Sequence, residues 1–201
     1  CGGVTSEDLE KAIFGDYDPE ATDRCQIVRV MPNTAAKINQ SMTLIATHPH
    51  KRDIDAEFNI VHWLFECVGE VVELPEEKMD AATALAGSGP AFVLLMLEGM
   101  IDGAVAMGIP RDKATRMAAQ TMKGAALGVM GGQFREDERD TFDGTHPAIL
   151  RDQVTTPGGC TMGGLMVLEE EGVRGAIAKC IRHTTVVASQ LGGGGKNVNG
   201  V

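Results

Sequence analysis

The feature that most constrains the fold of this chain is a change of pattern at Pro75. Before Pro75, short apolar runs rich in β-branched residues alternate with segments of helical period, whereas after it the patterned segments are helical throughout. Strands are expected at residues 26–31, 42–47 and 70–74. This alternation predicts an α/β segment over residues 1–75, then an all-α segment over 76–191 and a flexible tail over 192–201.

Capping residues, prolines and glycines set the expected ends of the helices. Thr5 or Ser6 begins the first helix as its N-cap, and Gly69 is expected to stop a helix that precedes the third strand. Ser88 and Pro90 have the N-cap and fixed-φ character of another helix start. The helices are expected at residues 5–15, 53–67, 76–85, 91–107, 110–130, 148–154, 161–171 and 173–191.

Small residues recur at helical spacing in the all-α segment. Gly99 and Gly103 lie four positions apart, and a glycine within a helix costs about 1 kcal/mol, which calls for a packing reason. Methionine and alanine stripes follow in the next helix. Such stripes are typical of a core, and their special use here is a contact between helices of two subunits.

Composition and charge limit the partners of the chain. Of the 201 residues, 43% are hydrophobic, and we expect a globular protein with no run of about 18 apolar residues that would span a membrane. The formal charge is -10. Nucleic acids and anionic membranes attract clustered Lys and Arg, so neither is predicted as a partner. An anionic ligand must instead be bound by local dipoles and a few positive groups.

Cysteine and histidine spacing gives no metal or disulfide pattern. The five cysteines are widely spaced, with no Cys-x-x-Cys, which favours free thiols in a reducing compartment. The nearest histidine pair is His48-Pro49-His50, for which a surface loop is favoured over a metal site. The sequence opens on Cys1 rather than Met, and we expect a fragment.

The most informative local motif is Thr155-Thr156-Pro157-Gly158-Gly159-Cys160-Thr161, between two helices. Pro157 fixes φ, and the two glycines can adopt positive φ, so the N–H groups from Gly159 to Thr161 are expected to point out of the next helix. Free N–H groups at the positive end of a helix dipole favour a carboxylate or phosphate. The structural alternative is a plain connection in which Thr161 is an N-cap and no ligand binds.

Three ordered blocks resemble one enzyme family. They are Val30-Met31-Pro32-Asn33-Thr34, then Gly87-Ser88-Gly89-Pro90-Ala91-Phe92, and then the run from Leu150 to Thr161 with Leu168-Glu169 and Gly172 beyond it. Together they resemble pyrroline-5-carboxylate reductase, the last enzyme of proline synthesis. The resemblance covers essentially the whole chain up to about Leu191.

The resemblance implies a fold, a reaction and an assembly. Residues 1–75 are expected to be an α/β remnant of a Rossmann-like domain, and residues 76–191 an all-α dimerisation domain similar to the C-terminal domain of 6-phosphogluconate dehydrogenase. NADPH or NADH would reduce L-1-pyrroline-5-carboxylate to L-proline in the cytoplasm. The enzyme would be a homodimer or a higher homo-oligomer, with its active site between the nucleotide domain of one subunit and the helices of its partner.

The resemblance also implies site residues. The substrate carboxylate is assigned to the cradle of Thr156, Gly158, Gly159, Cys160 and Thr161. Glu76 is a candidate near the ring nitrogen, with a plain N-terminal helix acid as the alternative. The cofactor candidates are Gln153 and, with weaker support, Cys1, Gly2, Asn33 and Thr34. No metal ligands are predicted.

Two features depart from the family pattern. The chain contains no Gly-x-Gly-x-x-Gly between a strand and a helix, so most of the nucleotide-binding half is not represented. Ala35 stands where the family usually has proline. The competing hypothesis is therefore a non-catalytic helical dimerisation module.

Overall fold

The computed structural model of the chain describes residues 4–15, 27–47, 56–131 and 144–192. Two compact units are present, one formed by Cys1–Ala91 with Ile177–Val201 and the other by Phe92–Ala176. These bounds differ from the division predicted at residue 75, which stays a prediction.

The first unit begins with the helix α1, Ser6–Phe14. Thr5 is its N-cap: the Thr5 hydroxyl accepts the Asp8 N–H at 3.1 Å, and the Asp8 carboxylate accepts the Thr5 N–H at 3.0 Å. The Thr5 hydroxyl also donates to the Asp8 carboxylate at 2.7 Å, and this bond, together with the one from the Thr5 N–H, holds the pKa of Asp8 below its ordinary value. Gly15 ends the helix with φ 76°. The start predicted at Thr5 or Ser6 is confirmed.

A three-stranded sheet forms the centre of this unit. Its strands are β1 (Val30–Met31), β2 (Ser41–Thr47) and β3 (Gly69–Pro75), in the order β1-β2-β3. β1 is antiparallel to β2, whereas β2 and β3 are parallel and are separated in sequence by the helix α2, Ala56–Glu66. The predicted α/β class is confirmed. The strand predicted at 26–31 is shorter, because only Val30 and Met31 pair with β2.

Gly69 has a different role from the predicted one. Helix α2 ends at Glu66, and Gly69 is the first residue of β3, with φ 150°. A Cβ at this position would lie 2.1 Å from the Ser41 carbonyl oxygen. The expectation that Gly69 stops the helix is wrong. A glycine is required at this position because β2 and β3 approach each other closely there.

The core of this unit lies between β2 and the helical turns that follow β3. Met31, Leu44, Ala46 and Met79 form one buried cluster, against which Ala82 and Ala86 pack. The helical turns are a 3-10 helix at Glu76–Lys78, the helix α3 at Met79–Ala82 and a π-helix at Thr83–Gly87. A second 3-10 helix, Thr34–Ile38, connects β1 to β2.

Helix α4, Gly89–Ala106, continues the same helical stretch. Ser88 has helical dihedrals, φ -90° and ψ -23°, so the predicted N-cap at Ser88 is wrong. By length and composition alone, the stretch Glu76–Ala106 is apolar enough to cross a membrane, with a mean hydropathy of 1.6 in its qualifying window. The sequence did not predict this, because Glu98 and Asp102 leave no uninterrupted run of 18 apolar residues.

The second unit is helical in its described part. α4 packs on α5 (Arg111–Val129) through a small core of Ile101, Ala114 and Ala118. The remaining helices are α6 (Pro147–Gln153), α7 (Cys160–Glu170) and α8 (Val173–Gly192), the last of which continues into the first unit. The prediction of an all-α segment after the sheet is confirmed.

Several of the expectations from the sequence lie outside the described residues. They concern Cys1 and Gly2 as cofactor contacts, the His48-Pro49-His50 loop, and the flexible tail beyond Gly192.

Candidate functional site: an anion cradle at the start of α7

A tight turn precedes α7. The Gly159 N–H donates to the Thr156 carbonyl at 3.0 Å, with Pro157 and Gly158 at the two central positions. Gly158 has φ 68°, and proline followed by a residue of positive φ is typical of a type II turn. A Cβ on Gly159 would lie 2.5 Å from Thr156 Oγ1 and 3.1 Å from the Thr156 carbonyl oxygen. Both glycines are therefore fixed by the turn.

The N-terminus of α7 leaves two N–H groups for a ligand. Its N-cap is Gly159, which has no side-chain capping bond. The Met162 N–H donates to the Gly159 carbonyl at 3.1 Å, but the N–H groups of Cys160 and Thr161 have no acceptor within the described part of the chain. Free N–H groups of this kind favour an anion.

Two sequence expectations about this turn are wrong. The Gly159 N–H does not point out of the helix, because the turn hydrogen bond to Thr156 uses it. Thr161 is not the N-cap, because it follows Cys160 within the helix. The hydroxyls of Thr156 and Thr161 make no hydrogen bond with the described residues. The cradle thus consists of two N–H groups and two nearby hydroxyls rather than three N–H groups.

The residues beside the cradle come from α6. Gln153 is its last residue and is exposed, whereas the Thr155 hydroxyl is turned to the Arg151 carbonyl at 2.7 Å. The Arg151 guanidinium lies 3.5 Å from the Asp152 carboxylate. Arg151 is the positive side chain nearest to the cradle in the sequence, and the Asp152 carboxylate offsets part of its charge. Backbone dipoles are the main attraction for an anion here.

Glu76 lies in a charged cluster of the first unit. Its Oε1 accepts the Ser6 N–H at 2.6 Å and the Arg29 guanidinium at 3.2 Å. Arg29 is only 3% exposed and also lies 3.7 Å from the Asp80 carboxylate. Glu76 therefore binds the N-terminus of α1 to the start of the helical stretch. Its assignment to the substrate nitrogen stays a prediction.

Arg29 and Ser6 were not predicted as members of this cluster. Arg29 interrupts an apolar run at residues 27–31, and a charge in such a position signals a buried partner. Ser6 is 2% exposed, and its Oγ has no hydrogen-bond partner in the described residues. Nothing in the sequence indicates this, since a serine after a threonine cap is common at helix starts.

Asn33 and Thr34 lie where β1 passes into the 3-10 helix. Asn33 is the N-cap of that helix: its Oδ1 accepts the Ala35 N–H at 3.0 Å, and its Nδ2 donates to the Ala86 carbonyl at 3.1 Å. Thr34 is exposed at the first helical position. Their assignment to a cofactor stays a prediction, and for Asn33 both ends of the amide are engaged within the fold.

No metal site is found among the described residues, where no group of three His, Cys, Asp or Glu side chains could hold an ion. The cradle is the one anion-binding arrangement that the sequence motif predicted and that the described geometry supports.

The parallel β2-α2-β3 unit and the helices that follow it define a class of protein in which a Rossmann-like sheet precedes a helical domain. The family described as "Pyrroline-5-carboxylate reductase dimerisation" matches residues 76–191. The chain belongs to the pyrroline-5-carboxylate reductase family.

Similar proteins carry the same name. The chain is 54% identical over 98% of its length to a pyrroline-5-carboxylate reductase of Lophium arboricola, and 54% identical over 100% to one of Neurospora crassa. It spans 58% and 57% of those relatives.

Solved structures of the family share the fold. A Plasmodium falciparum pyrroline carboxylate reductase with NADP bound is 27% identical, with a TM-score of 0.75 over 96% of this chain and 69% of that one. A pyrroline-5-carboxylate reductase of Coxiella burnetii is also 27% identical, with a TM-score of 0.77 over 94% of this chain and 63% of that one.

Proposed function

We propose that this chain is the substrate-binding and subunit-assembly part of a pyrroline-5-carboxylate reductase, which reduces L-1-pyrroline-5-carboxylate to L-proline with NADPH or NADH in the cytoplasm. The observation that carries the proposal is the pair of unpartnered N–H groups, of Cys160 and Thr161, at the start of α7. They are placed in the motif that resembles the family's substrate segment. The substrate carries one carboxylate, which is the group that such a helix end attracts.

The cradle would bind the ring carboxylate through four donors. The N–H groups of Cys160 and Thr161 supply two, and the hydroxyls of Thr156 and Thr161 supply the others. Because the turn fixes the backbone before the ligand arrives, little ordering is needed on binding. The ring carbon that bears the carboxylate is bonded to the imine nitrogen, so a carboxylate held in the cradle orients the neighbouring C=N bond, which lowers the entropic part of the barrier.

The described residues form only a small part of a dinucleotide site. The sequence has no Gly-x-Gly-x-x-Gly, and the amide of Asn33 is engaged with Ala35 and Ala86. The reduced nicotinamide, when bound, supplies the hydride that the imine carbon accepts. We therefore assign cofactor binding to a longer form, termed the long form, in which the rest of the nucleotide-binding domain precedes this chain.

The exposed apolar surface supports self-association. Large apolar side chains on α4 and α7 are open to solvent, including Leu95 at 70% and Met107 at 85% just beyond α4. Large apolar side chains exposed in this number on neighbouring helical turns are typical of subunit interfaces. The second copy of the chain is the occupant we propose for it, in a homodimer or a larger homo-oligomer.

A non-catalytic dimerisation module is the second candidate. It is favoured by the family match, which covers the dimerisation region at residues 76–191, together with the missing glycine-rich loop. Binding of reduced nicotinamide by this chain and by the long form separates the two candidates. Binding by neither, in a long form that is folded, would favour the module.

Thr161→Ala in the long form tests the cradle. The substitution removes one hydroxyl donor but no capping bond, because the N-cap is Gly159. A hydrogen bond to a charged group is worth about 1.5–3 kcal/mol, so kcat/KM for the substrate should fall roughly 10- to 150-fold. The KM for the nucleotide and the unfolding midpoint should stay the same.

Thr115→Ala is the matched control. Its hydroxyl donates to the Arg111 carbonyl within α5, and it lies outside the cradle. The control should retain wild-type kcat/KM. Wild-type efficiency in Thr161→Ala as well would show that the Thr161 hydroxyl does not bind the carboxylate.

A further inference from the structure

Pro90 deprives one carbonyl of the preceding helical turn of its usual donor. In an α-helix, the Ala86 carbonyl would accept the N–H of Pro90, which proline lacks. In a π-helix the bond spans five residues, as from the Ser88 N–H to the Thr83 carbonyl at 3.0 Å. Five residues after Ala86 is Ala91, but its N–H donates to the Ser88 carbonyl at 3.0 Å. Neither helical donor is left for Ala86.

The side chain of Asn33 supplies the missing donor. Its Nδ2 lies 3.1 Å from the Ala86 carbonyl oxygen, and its Oδ1 accepts the Ala35 N–H at 3.0 Å. One partner requires a donor and the other an acceptor, so the orientation of the amide is fixed. The Asn33 backbone is held as well, since its N–H donates to Ser41 Oγ at 3.1 Å.

Met31 makes two further contacts with the same turn. The Thr83 hydroxyl donates to Met31 Sδ at 3.1 Å. A Cβ on Gly87 would lie 2.8 Å from Met31 Cε, so this glycine allows the turn to approach the strand. The end of β1 and the π-helix are therefore in contact at three points. Only the contact made by Asn33 also satisfies a backbone group, the Ala86 carbonyl.

We propose that Asn33 is a positioning residue: its side-chain amide replaces the N–H that Pro90 lacks and holds the π-helix Thr83–Gly87 against the end of β1. This role differs from the cofactor contact that the family resemblance implies. It joins two motif blocks, one at residues 30–34 and one at residues 87–92. Only its effect on catalysis rests on the proposed function.

The test is a double-mutant cycle between Asn33→Ser and Pro90→Ala in this chain. Serine still offers an oxygen to cap the 3-10 helix, but it is too short to reach Ala86. With Pro90 present, Asn33→Ser leaves that carbonyl unsatisfied, and the equilibrium constant for unfolding should rise about 5- to 150-fold. Pro90→Ala restores a helical N–H. In that background, the factor by which Asn33→Ser raises the equilibrium constant for unfolding should therefore be at least five times smaller.

The measurement is denaturant unfolding followed by fluorescence. The chain has one tryptophan, Trp63, and it lies on α2 in the same compact unit as Asn33. Equal effects of Asn33→Ser with and without Pro90→Ala would overturn the proposal. If Asn33→Ser does not fold while Pro90 is present, the proposal predicts that it folds together with Pro90→Ala, and failure of the double variant to fold where Pro90→Ala alone folds would overturn the proposal.

Kinetics of the long form separate positioning from cofactor contact. A positioning role predicts that any loss of kcat in Asn33→Ser is restored by Pro90→Ala, whereas a direct contact predicts a raised KM for the nucleotide in both backgrounds. A raised KM that Pro90→Ala does not restore would overturn the proposal. A long form with no reductase activity, combined with the expected coupling in unfolding, would contradict the proposed function and leave the role of Asn33 supported.

Discussion

Single glycines decide where the backbone can turn or approach in this chain. At the cradle, Gly158 is required by its positive φ and Gly159 by the Thr156 side chain, which a Cβ would meet at 2.5 Å. The two requirements differ physically, although the residues are adjacent. The sequence identifies the two glycines as part of a turn. It does not show that one is required by its backbone dihedral and the other by a close contact.

Gly159→Ala should therefore destabilise the second unit. The new Cβ collides with Thr156, whose carbonyl oxygen at 3.1 Å belongs to the backbone and cannot rotate away, and such overpacking costs about 1–3 kcal/mol. Gly164→Ala is the matched control: no atom lies within 4 Å of its Cβ, and alanine is the better helix former. The free energies of unfolding of both variants are compared by denaturant titration. Equal stability in the two would contradict the contact.

The elements are held together by a few charged groups between distant segments. Arg29, almost fully buried, contacts Glu76 and Asp80, and Glu76 accepts the Ser6 N–H. The start of α1, the approach to β1 and the first turn after β3 are fixed together by this cluster. The exposed pair Lys11 and Glu7 joins only two turns of one helix.

Glu76→Gln and Glu7→Gln should have unequal effects. The first removes the charge that faces a buried guanidinium and should cost about 1–3 kcal/mol, less than for a fully buried pair because Glu76 is partly exposed and Asp80 remains. The second removes an exposed pair within a helix and should cost about 0.5 kcal/mol or less. Thermal and denaturant unfolding report both. A loss in Glu76→Gln no larger than that in the control would count against a structural role for the cluster.

The turn between α7 and α8 carries a pH-dependent contact. The Arg174 guanidinium donates to the Glu169 carboxylate and holds the pKa of Glu169 below its ordinary value of 4.5. A depressed folded-state pKa stabilises the protein above the unfolded-state value, and that contribution is lost as the pH falls through the folded-state pKa.

Arg174→Gln should therefore lower the unfolding midpoint slightly at pH 7, and the difference from wild type should shrink below pH 4.5. Because both groups are exposed, the effect is small and is best measured at low salt. A difference that grows on acidification would contradict this assignment.

The sequence predicted the elements better than their junctions. Strong periodicity and caps such as Thr5 gave most of the helices and the order of sheet and helices. The role of Gly69 was not predictable, because it depends on the approach of Ser41 from another strand. The helix start near Ser88 was predicted, since α4 begins at Gly89, but the N-cap role of Ser88 was not correct, because α4 follows directly on a π-helix and Ser88 has helical dihedrals.

The backbone turn of the candidate site was predicted from the sequence, whereas the hydrogen bonds between distant segments were not. Proline and paired glycines before a helix are local signals, so the cradle at residues 155–161 was identified. The partners of Asn33 and Glu76 come from segments far along the chain, and a single sequence does not reveal them.

At the scale of the whole molecule, the chain exposes more large apolar side chains than its small helical core buries. Ile101, Ala114 and Ala118 form the buried cluster between α4 and α5, while Leu94, Leu95 and Met100 on α4 are exposed. Burial of such a surface gives about 25 cal/mol per Å², which favours association.

Gly103→Leu should weaken that association without unfolding the single chain. Among the described residues, no atom beyond the chain neighbours and the helix backbone lies within 4 Å of a Cβ at Gly103, so we expect the main cost of the larger side chain to arise against a second copy. Analytical ultracentrifugation at micromolar concentration should show a smaller assembled fraction than for wild type. Gly103→Ala, which adds only a methyl group, is the matched control. A wild-type chain that stays monomeric under these conditions would contradict the proposed assembly.

The bond from Asn33 to Ala86 has an evolutionary consequence, because it makes the effect of one substitution depend on another. While proline occupies position 90, replacement of Asn33 leaves a carbonyl unsatisfied. A lineage that first exchanges Pro90 for a residue with an N–H frees position 33 to drift, whereas the opposite order passes through a less stable intermediate. The two positions are therefore expected to be epistatic, with the order of change set by a single backbone oxygen.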